Sequence, residues 1–172
     1  MNTDFQVGKA QIHLRPARAD DAAFLSRVYA STRTEELEQV NWTDEQKAVF
    51  LQMQFDAQTD HYKKNYPTAE YLVVERDGLP IGRLTLERKP GQLLMMELSL
   101  LPEARNQGIG ATLIQGLMDE AAGVGVPLVL RVEFFNPVIR LYTRLGFVKT
   151  REVNSVYHEM IWTPVSVAAP RA

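Results

Sequence analysis

The sequence predicts an α/β protein with a central mixed β-sheet and helices on both of its faces. In the middle of the chain, strand-like segments alternate with amphipathic helices, and hairpin patterns lie on either side. The 172 residues are 45% hydrophobic, which is enough for one full core. We expect a single domain, 1–172, with about seven strands, a core over 11–163 and a loose C-terminal tail over 164–172.

The N-terminal third predicts one strand and then two helices. Residues 11–15 alternate polar and apolar side chains before Pro16, which is typical of a strand. Asp20 or Asp21 can cap a helix that runs to about Arg33. The polar, acidic stretch 31–42 follows.

Thr43 and Gln46 have the spacing of a capping box, and they open a long helix that ends before Pro67. Asp77-Gly78 lies between two strand-like runs, 71–75 and 79–87, and predicts the tight turn of a hairpin. Gly91 separates this hairpin from a further strand over 92–101.

The last third predicts helix, strand, helix and a strand pair. Apolar residues at helical spacing follow Gly110, and Gly123 and Gly125 end that helix. A strand over 127–133 comes next. Asn136 can cap the next helix with Pro137 at its first position, and Gly146 takes the left-handed position after it. The final pair of predicted strands spans 147–153 and 156–162.

Composition excludes several function classes. The net charge of −2 gives no basic footprint for nucleic acid or an anionic membrane surface. The chain has no cysteine, so disulfides and thiolate chemistry are excluded, and its three histidines are too scattered to predict a metal site. No signal-peptide core or membrane-length apolar run is present. We therefore expect a cytoplasmic protein without metal.

The turn from Arg105 to Gly110 leads from an apolar strand into a helix. The first amides of a helix lack internal partners, and glycines at 108 and 110 let an anion approach them. A dinucleotide fingerprint needs a third glycine where Leu113 stands, and the Gly-Lys-Ser/Thr of a P-loop is absent. Two interpretations stay open: a phosphate cradle, or glycines that only permit a tight turn.

Two motifs in this order resemble the GNAT family of N-acetyltransferases: Arg105-x-x-Gly108-x-Gly110, and the segment from Asn136-Pro137 through Leu141-Tyr142 to Gly146-Phe147. The resemblance covers about 11–162 and is most specific over 98–147. Ser31-Thr32-Arg33 with Glu35-Glu36, and the ending over 156–162, are similar to a group of uncharacterised bacterial members. That narrower likeness carries no substrate.

The resemblance implies a twisted sheet with an acyl-CoA cleft between two splayed strands, and acetyl-CoA as the acyl donor. It implies cofactor contacts from Leu98, Ser99, Leu100, Arg105, Asn106, Gln107, Gly108, Ile109, Gly110, Ala111, Asn136 and Tyr142. Asn136 can cap its helix as well. Leu98 and Leu100 contribute their backbone, because their side chains also suit the core.

The implied reaction is attack of an amine on the thioester through a tetrahedral intermediate. By resemblance, the Leu100 amide stabilises the oxyanion and Tyr142 protonates the leaving thiolate, although Tyr142 also fits a core aromatic. Glu97 is the carboxylate within the apolar strand and a candidate base; an ion pair with an arginine, or simple exposure, is the alternative. An ordered water chain is the alternative acceptor of the amine proton if Glu97 is not the base.

The acceptor amine, of a small molecule or a peptide, is expected beside the segment before the hairpin. Arg33, Glu36, Glu97 and Trp42 are the candidate contacts, with Glu35 nearby, although a charged segment is more often a solvated face. A non-catalytic acyl-CoA-binding sensor or interaction module is the alternative function. A homodimer through a sheet edge or the last strands is plausible.

Overall fold

The structure is a computed structural model that describes residues 2–165. Within them, eight strands form one sheet in the order β1-β2-β3-β4-β5-β6-β8-β7. The strands are β1 (Asp4–Val7), β2 (Ala10–Pro16), β3 (Glu70–Arg76), β4 (Leu79–Lys89), β5 (Gln92–Leu100), β6 (Leu128–Glu133), β7 (Val148–Val153) and β8 (Tyr157–Trp162). β5 and β6 run parallel, and the other neighbours are antiparallel. The predicted mixed sheet is confirmed.

The helices are α1 (Ala22–Ser31), α2 (Thr34–Glu38), α3 (Asp44–Asn65), α4 (Ile109–Gly123) and α5 (Ile139–Arg144). The main core lies between one sheet face and α4 with α5, where Leu113, Leu117 and Phe147 are almost fully buried. Successive strand residues point to opposite faces, and Val28 and Phe55 are buried outside this core cluster. Helices α1 and α3 therefore cover the other face, as predicted.

The expected strand count and core boundary need one correction. Strand β1 precedes the predicted start of the core at residue 11 and pairs with β2, which gives one strand more than predicted. Phe5 of β1 packs against α4 so closely that a Cβ at Gly116 would lie 2.3 Å from the ring. β1 is stabilised by this contact with a distant part of the chain, so the four residues Asp4–Val7 alone do not predict a strand. Of the predicted tail, residues 166–172 lie outside the described residues.

Three helix boundaries also differ from the prediction. Asp21 stands at the start of α1, but its carboxylate binds Arg15 and the Arg18 amide instead of capping the helix. α1 ends at Ser31, before the predicted Arg33. The helix α2, which was not predicted, lies within the polar, acidic stretch 31–42. α5 begins at Ile139 rather than Pro137.

Several local predictions are confirmed. Thr43 Oγ1 accepts from the Gln46 amide at 3.2 Å and Gln46 Oε1 accepts from the Thr43 amide at 2.9 Å, which completes the capping box. Asp77 and Gly78 have φ angles of 51° and 82°, and Gly146 has a φ of 93°, as the turn and helix-end signals require. None of the helices within 2–165 is long and apolar enough to span a bilayer.

Candidate active site

A cleft opens between β5 and β6. These parallel strands are paired only where Leu93–Met95 faces Leu128–Leu130. Beyond Met95, β5 continues along β4 to Leu100, whereas β6 continues along β8 to Glu133. The two strands therefore separate towards their carboxyl ends, and the predicted splayed cleft is present.

Beyond Met95, β5 has no partner strand on the side that faces this cleft. The Leu101 amide donates to the Ile81 carbonyl at 2.8 Å, and Leu100 and Leu98 stand opposite Gly82 and Leu84. Hydrogen-bonded and non-hydrogen-bonded pairs alternate along an antiparallel ladder. The amide and carbonyl groups of Leu98 and Leu100 consequently point away from β4, towards the opening.

A row of unpaired amides lies at the end of the turn that follows β5. Ala104 and Arg105 donate their amides to the Leu101 and Pro102 carbonyls. The amide row, which we define as the backbone N–H groups of residues 106–111, has no acceptor among residues 2–165. Positive φ angles at Asn106 (58°) and Gly108 (83°) turn the chain into α4. The arrangement suits an anion, because unpaired amides and the helix dipole act together.

Two side chains of this turn brace it. Arg105 Nε donates to the Leu100 carbonyl at 2.8 Å, and its Nη2 lies 3.1 Å from the carbonyl and the hydroxyl oxygen of Ser31. Gln107 Nε2 donates to the Glu103 carbonyl, and Arg76 donates to Gln107 Oε1. The side chains are thus engaged with protein, while the backbone amides remain available.

Tyr142 is buried on α5, with 7% of its surface exposed, and its ring lies 5.7 Å from that of Phe147. Burial raises the pKa of Tyr142 to about 12. Its hydroxyl has no hydrogen-bond partner in the described part of the chain. The ring is a core aromatic, and the hydroxyl is a protonated donor that is not engaged.

Asn136 does not take the predicted N-cap position, which Val138 occupies because α5 begins later than predicted. Its Oδ1 accepts from the Val138 amide at 3.0 Å and so supports the turn that leads into α5. The side-chain amide of Asn136 donates to no residue among 2–165 and is exposed. It can therefore donate to a ligand while Oδ1 keeps its bond to the Val138 amide.

Glu97 forms the ion pair that was one of its alternatives. Arg83 Nε donates to Glu97 Oε1 at 3.0 Å, and Nη2 donates to the same oxygen. Ser99 Oγ also donates to Oε1 at 3.0 Å. The other oxygen, Oε2, is buried and has no hydrogen-bond partner within the described residues. Glu97 therefore has one structural oxygen and one buried oxygen without a hydrogen-bond partner among the described residues.

The surroundings of this pair were missed in the sequence. The Arg83 guanidinium lies 5.5 Å from the ring centres of Tyr29 and Phe55 and donates to Gln58 Oε1. Burial, and then the charge of Glu97, raise the pKa of Tyr62 to about 12. The available signal was the charged side chain of Arg83 within the otherwise uncharged and buried run from Ile81 to Leu86 of β4.

A family model describes the same segment. The model of the acetyltransferase (GNAT) family matches residues 30–147, more than half of the chain. The chain belongs to the GNAT acetyltransferase family. It is accordingly an acetyltransferase of the class that uses acetyl-CoA. A comparison with curated protein sequences gave no significant match.

Solved structures of other GNAT proteins share the fold. The PaiA N-acetyltransferase from Thermoplasma acidophilum, in complex with coenzyme A, is 18% identical, with a TM-score of 0.67 over 88% of this chain and 98% of that one. An acetyltransferase from Thermus thermophilus is 21% identical, with a TM-score of 0.61 over 88% and 96%. The ribosomal-protein-S5-alanine acetyltransferase from Vibrio fischeri is 16% identical, with a TM-score of 0.61 over 98% and 100%.

The acceptor candidates of this GNAT chain fall into two groups. Arg33 Nη1 donates to Glu36 at 3.0 Å and to Glu133 at 3.3 Å, and its guanidinium lies 5.8 Å from the Tyr29 ring that Arg83 also contacts. Arg33 and Glu36 thus adjoin the Arg83–Glu97 pair through the Tyr29 ring. Arg33 also binds Glu133, a carboxylate of β6 that the sequence did not single out.

Trp42 belongs to the second group. Its ring meets Phe50 edge-on at 5.2 Å and lines a groove of about 490 Å³ with Val49 and Met53 of α3. Glu35 is exposed on α2. The structure therefore does not bring Trp42 into the Arg33 and Glu97 group.

Proposed function

We propose that this protein transfers the acetyl group of acetyl-CoA to a primary amine by direct attack of the amine on the thioester. The amide row carries the proposal. Unpaired amides at the start of a 15-residue helix suit a pyrophosphate, which they can bind without a cationic side chain. The open edge of β5 begins beside them, and an extended pantetheine arm can add to that edge as a strand does.

Two backbone groups and one side chain then fit the acyl end of the donor. The Leu98 and Leu100 amides point into the cleft, and the Leu100 carbonyl is already occupied by Arg105. Of these two amides, the resemblance to the family favours that of Leu100 as the donor to the carbonyl oxygen of the thioester. Asn136 follows β6, the strand on the other side of the cleft, and its exposed side-chain amide can bind the arm.

Tyr142 stabilises the departing sulfur. A thiol has an ordinary pKa of about 8.5, and burial raises the pKa of Tyr142 to about 12. The phenol therefore stays protonated at neutral pH and donates a hydrogen bond to the thiolate as the C–S bond breaks. Because the thiolate is the weaker base, this hydrogen bond stabilises it without full proton transfer, in place of the protonation by Tyr142 that the resemblance implies. The thiolate takes up the second proton, which the amine nitrogen releases as the amide forms.

Glu97 accepts the proton of the amine through Oε2. An alkyl amine has a pKa of about 10.4 and is an ammonium ion at neutral pH, so a proton must leave before attack. Oε1 is held by Arg83 and Ser99, whereas buried Oε2 has no partner within 2–165. If a water chain performs this step instead, Glu97→Gln leaves the pH–rate profile unmoved.

The acceptor is an amine of a small molecule or a peptide, bound beside Arg33, Glu36 and Glu133. The test is release of free thiol from acetyl-CoA in the presence of a panel that includes alkyl amines, amino acids and peptide N-termini. We expect turnover with at least one class. Tight binding of acetyl-CoA without turnover on any amine would favour the acyl-CoA-binding module instead.

A further inference from the structure

Arg105 joins the donor side of the cleft to the acceptor side. One nitrogen of its guanidinium holds the Leu100 carbonyl at the end of β5. Another nitrogen holds both oxygens of Ser31, which lies 74 positions earlier, at the end of α1. Within residues 2–165 the guanidinium has no carboxylate within 4.0 Å, so all of its partners belong to these two elements.

The contact with Ser31 completes the end of α1. The Ser31 hydroxyl donates to the Val28 carbonyl at 2.7 Å, and the Thr32 hydroxyl donates to the Tyr29 carbonyl at 2.7 Å. The Ser31 carbonyl has no backbone donor among the described residues and is served by Arg105. A cation is favourable here, because the last carbonyls of a helix lack internal partners and carry partial negative charge.

The chain that leaves this helix end carries the acceptor candidates. Arg33 follows Ser31 by two residues and pairs with Glu36 on α2 and with Glu133 on β6. A shift at Ser31 would therefore move Arg33 relative to β5 and Glu97. The planar guanidinium of Arg105 binds both Leu100 and Ser31, so it fixes the distance between the end of β5 and the end of α1.

We propose that Arg105 is a positioning residue that sets the α1–α2 junction against the donor strand, and that its side chain acts on acceptor binding rather than on the phosphates of the donor. The part that concerns the acceptor rests on the function proposed above. The part that concerns the α1–α2 junction is independent of any acceptor.

Arg105→Lys separates the two roles. Lysine keeps the positive charge that a phosphate would attract, but its single nitrogen cannot reproduce the guanidinium fork. We expect hydrogen–deuterium exchange of the backbone amides over 30–38 to become faster by about fivefold or more. The affinity for CoA, measured by calorimetry, should stay within about twofold. Arg76→Lys is the matched control, because Arg76 braces the same turn through Gln107 without touching α1; exchange over 30–38 should not change.

The kinetic counterpart uses the best amine of the panel. Arg105→Lys should raise the KM for that amine by about fivefold or more and leave the KM for acetyl-CoA within about twofold. Ser31→Ala should raise the amine KM less, because it keeps the bond from Arg105 to the Ser31 carbonyl. Its effect should not add to that of Arg105→Lys, because both variants remove the bond between the guanidinium and the Ser31 hydroxyl.

The results that would overturn the inference are distinct from a failure of the proposed function. Unchanged exchange over 30–38 together with a loss of CoA affinity in Arg105→Ala but not Arg105→Lys would make Arg105 a phosphate ligand. A panel without turnover would refute the proposed function, and the exchange measurement would still decide whether Arg105 holds the junction.

Discussion

Removing the carboxylate of Glu97 should destabilise the fold because it strands a buried guanidinium. The Arg83 side chain is only 8% exposed and that of Glu97 14%. In Glu97→Leu, Arg83 loses two donated hydrogen bonds and its counter-charge. Breaking a buried pair in this way costs about 3–5 kcal/mol. Gln58 and the flanking aromatic rings remain, which places the expected cost near the lower end, at about 3 kcal/mol.

The double variant Arg83→Met, Glu97→Leu supplies the contrast. It replaces both charges with apolar side chains of similar length, and such replacements are often neutral or stabilising. We expect its free energy of unfolding to lie within about 1 kcal/mol of the wild type, well above that of Glu97→Leu. If the chain still folds but has lost turnover, the charged pair serves the reaction rather than stability.

Urea unfolding at neutral pH measures the free energy of unfolding of the wild type, Glu97→Leu and the double variant. Equal slopes would show that the denatured states are comparable and that the midpoints report stability. Arg83 is not stranded by the loss of Glu97 if the free energy of unfolding of Glu97→Leu lies within about 1 kcal/mol of the wild type, or if the double variant is less stable than Glu97→Leu.

Three further predictions, made with four substitutions, concern Tyr142, the turns before and after β5, and the contact between β4 and β5. Tyr142→Phe should lower kcat by about tenfold or more with an unchanged KM for acetyl-CoA; an unchanged kcat leaves Tyr142 a core aromatic only. Gly108 and Gly91 have φ angles of 83° and 84°, so alanine is strained by about the same amount at both positions. Both variants should therefore lose about 1 kcal/mol of stability. Only Gly108→Ala should weaken CoA binding. Gly82→Ala places a Cβ 2.4 Å from the Ser99 carbonyl oxygen, so β4 and β5 must separate. We expect urea unfolding to show a loss of about 1–3 kcal/mol in the free energy of unfolding. No loss would show that β4 and β5 approach each other less closely.

Local chemistry explains which elements could be predicted. The Thr43 capping box, the Asp77-Gly78 turn and the left-handed Gly146 each depend on residues within a few positions of one another. β1 depends instead on a distant partner, since Phe5 packs on Gly116 of α4. The carboxylate of Asp21 likewise leaves its own helix for Arg15.

The same distinction applies to the site. The amide row follows directly from the turn with glycines at 108 and 110 and from the start of α4, so unpaired amides at this position were predictable. The ion pair of Glu97 depends on the register that sets Arg83 opposite Ser99, two positions further along β5, which no local pattern reports. The contact from Arg105 to Ser31 spans 74 positions and depends on how α1 packs on the sheet.

The amide row can be observed directly by titrating ¹⁵N-labelled protein with CoA. If the amide row binds the pyrophosphate, the amide resonances of residues 106–111 shift when CoA binds, together with those of Leu98 and Leu100. Pantetheine, which lacks the pyrophosphate, should shift Leu98 and Leu100 and leave 106–111 in place. Unmoved resonances over 106–111 at saturating CoA would contradict the assignment of this turn as the donor cradle.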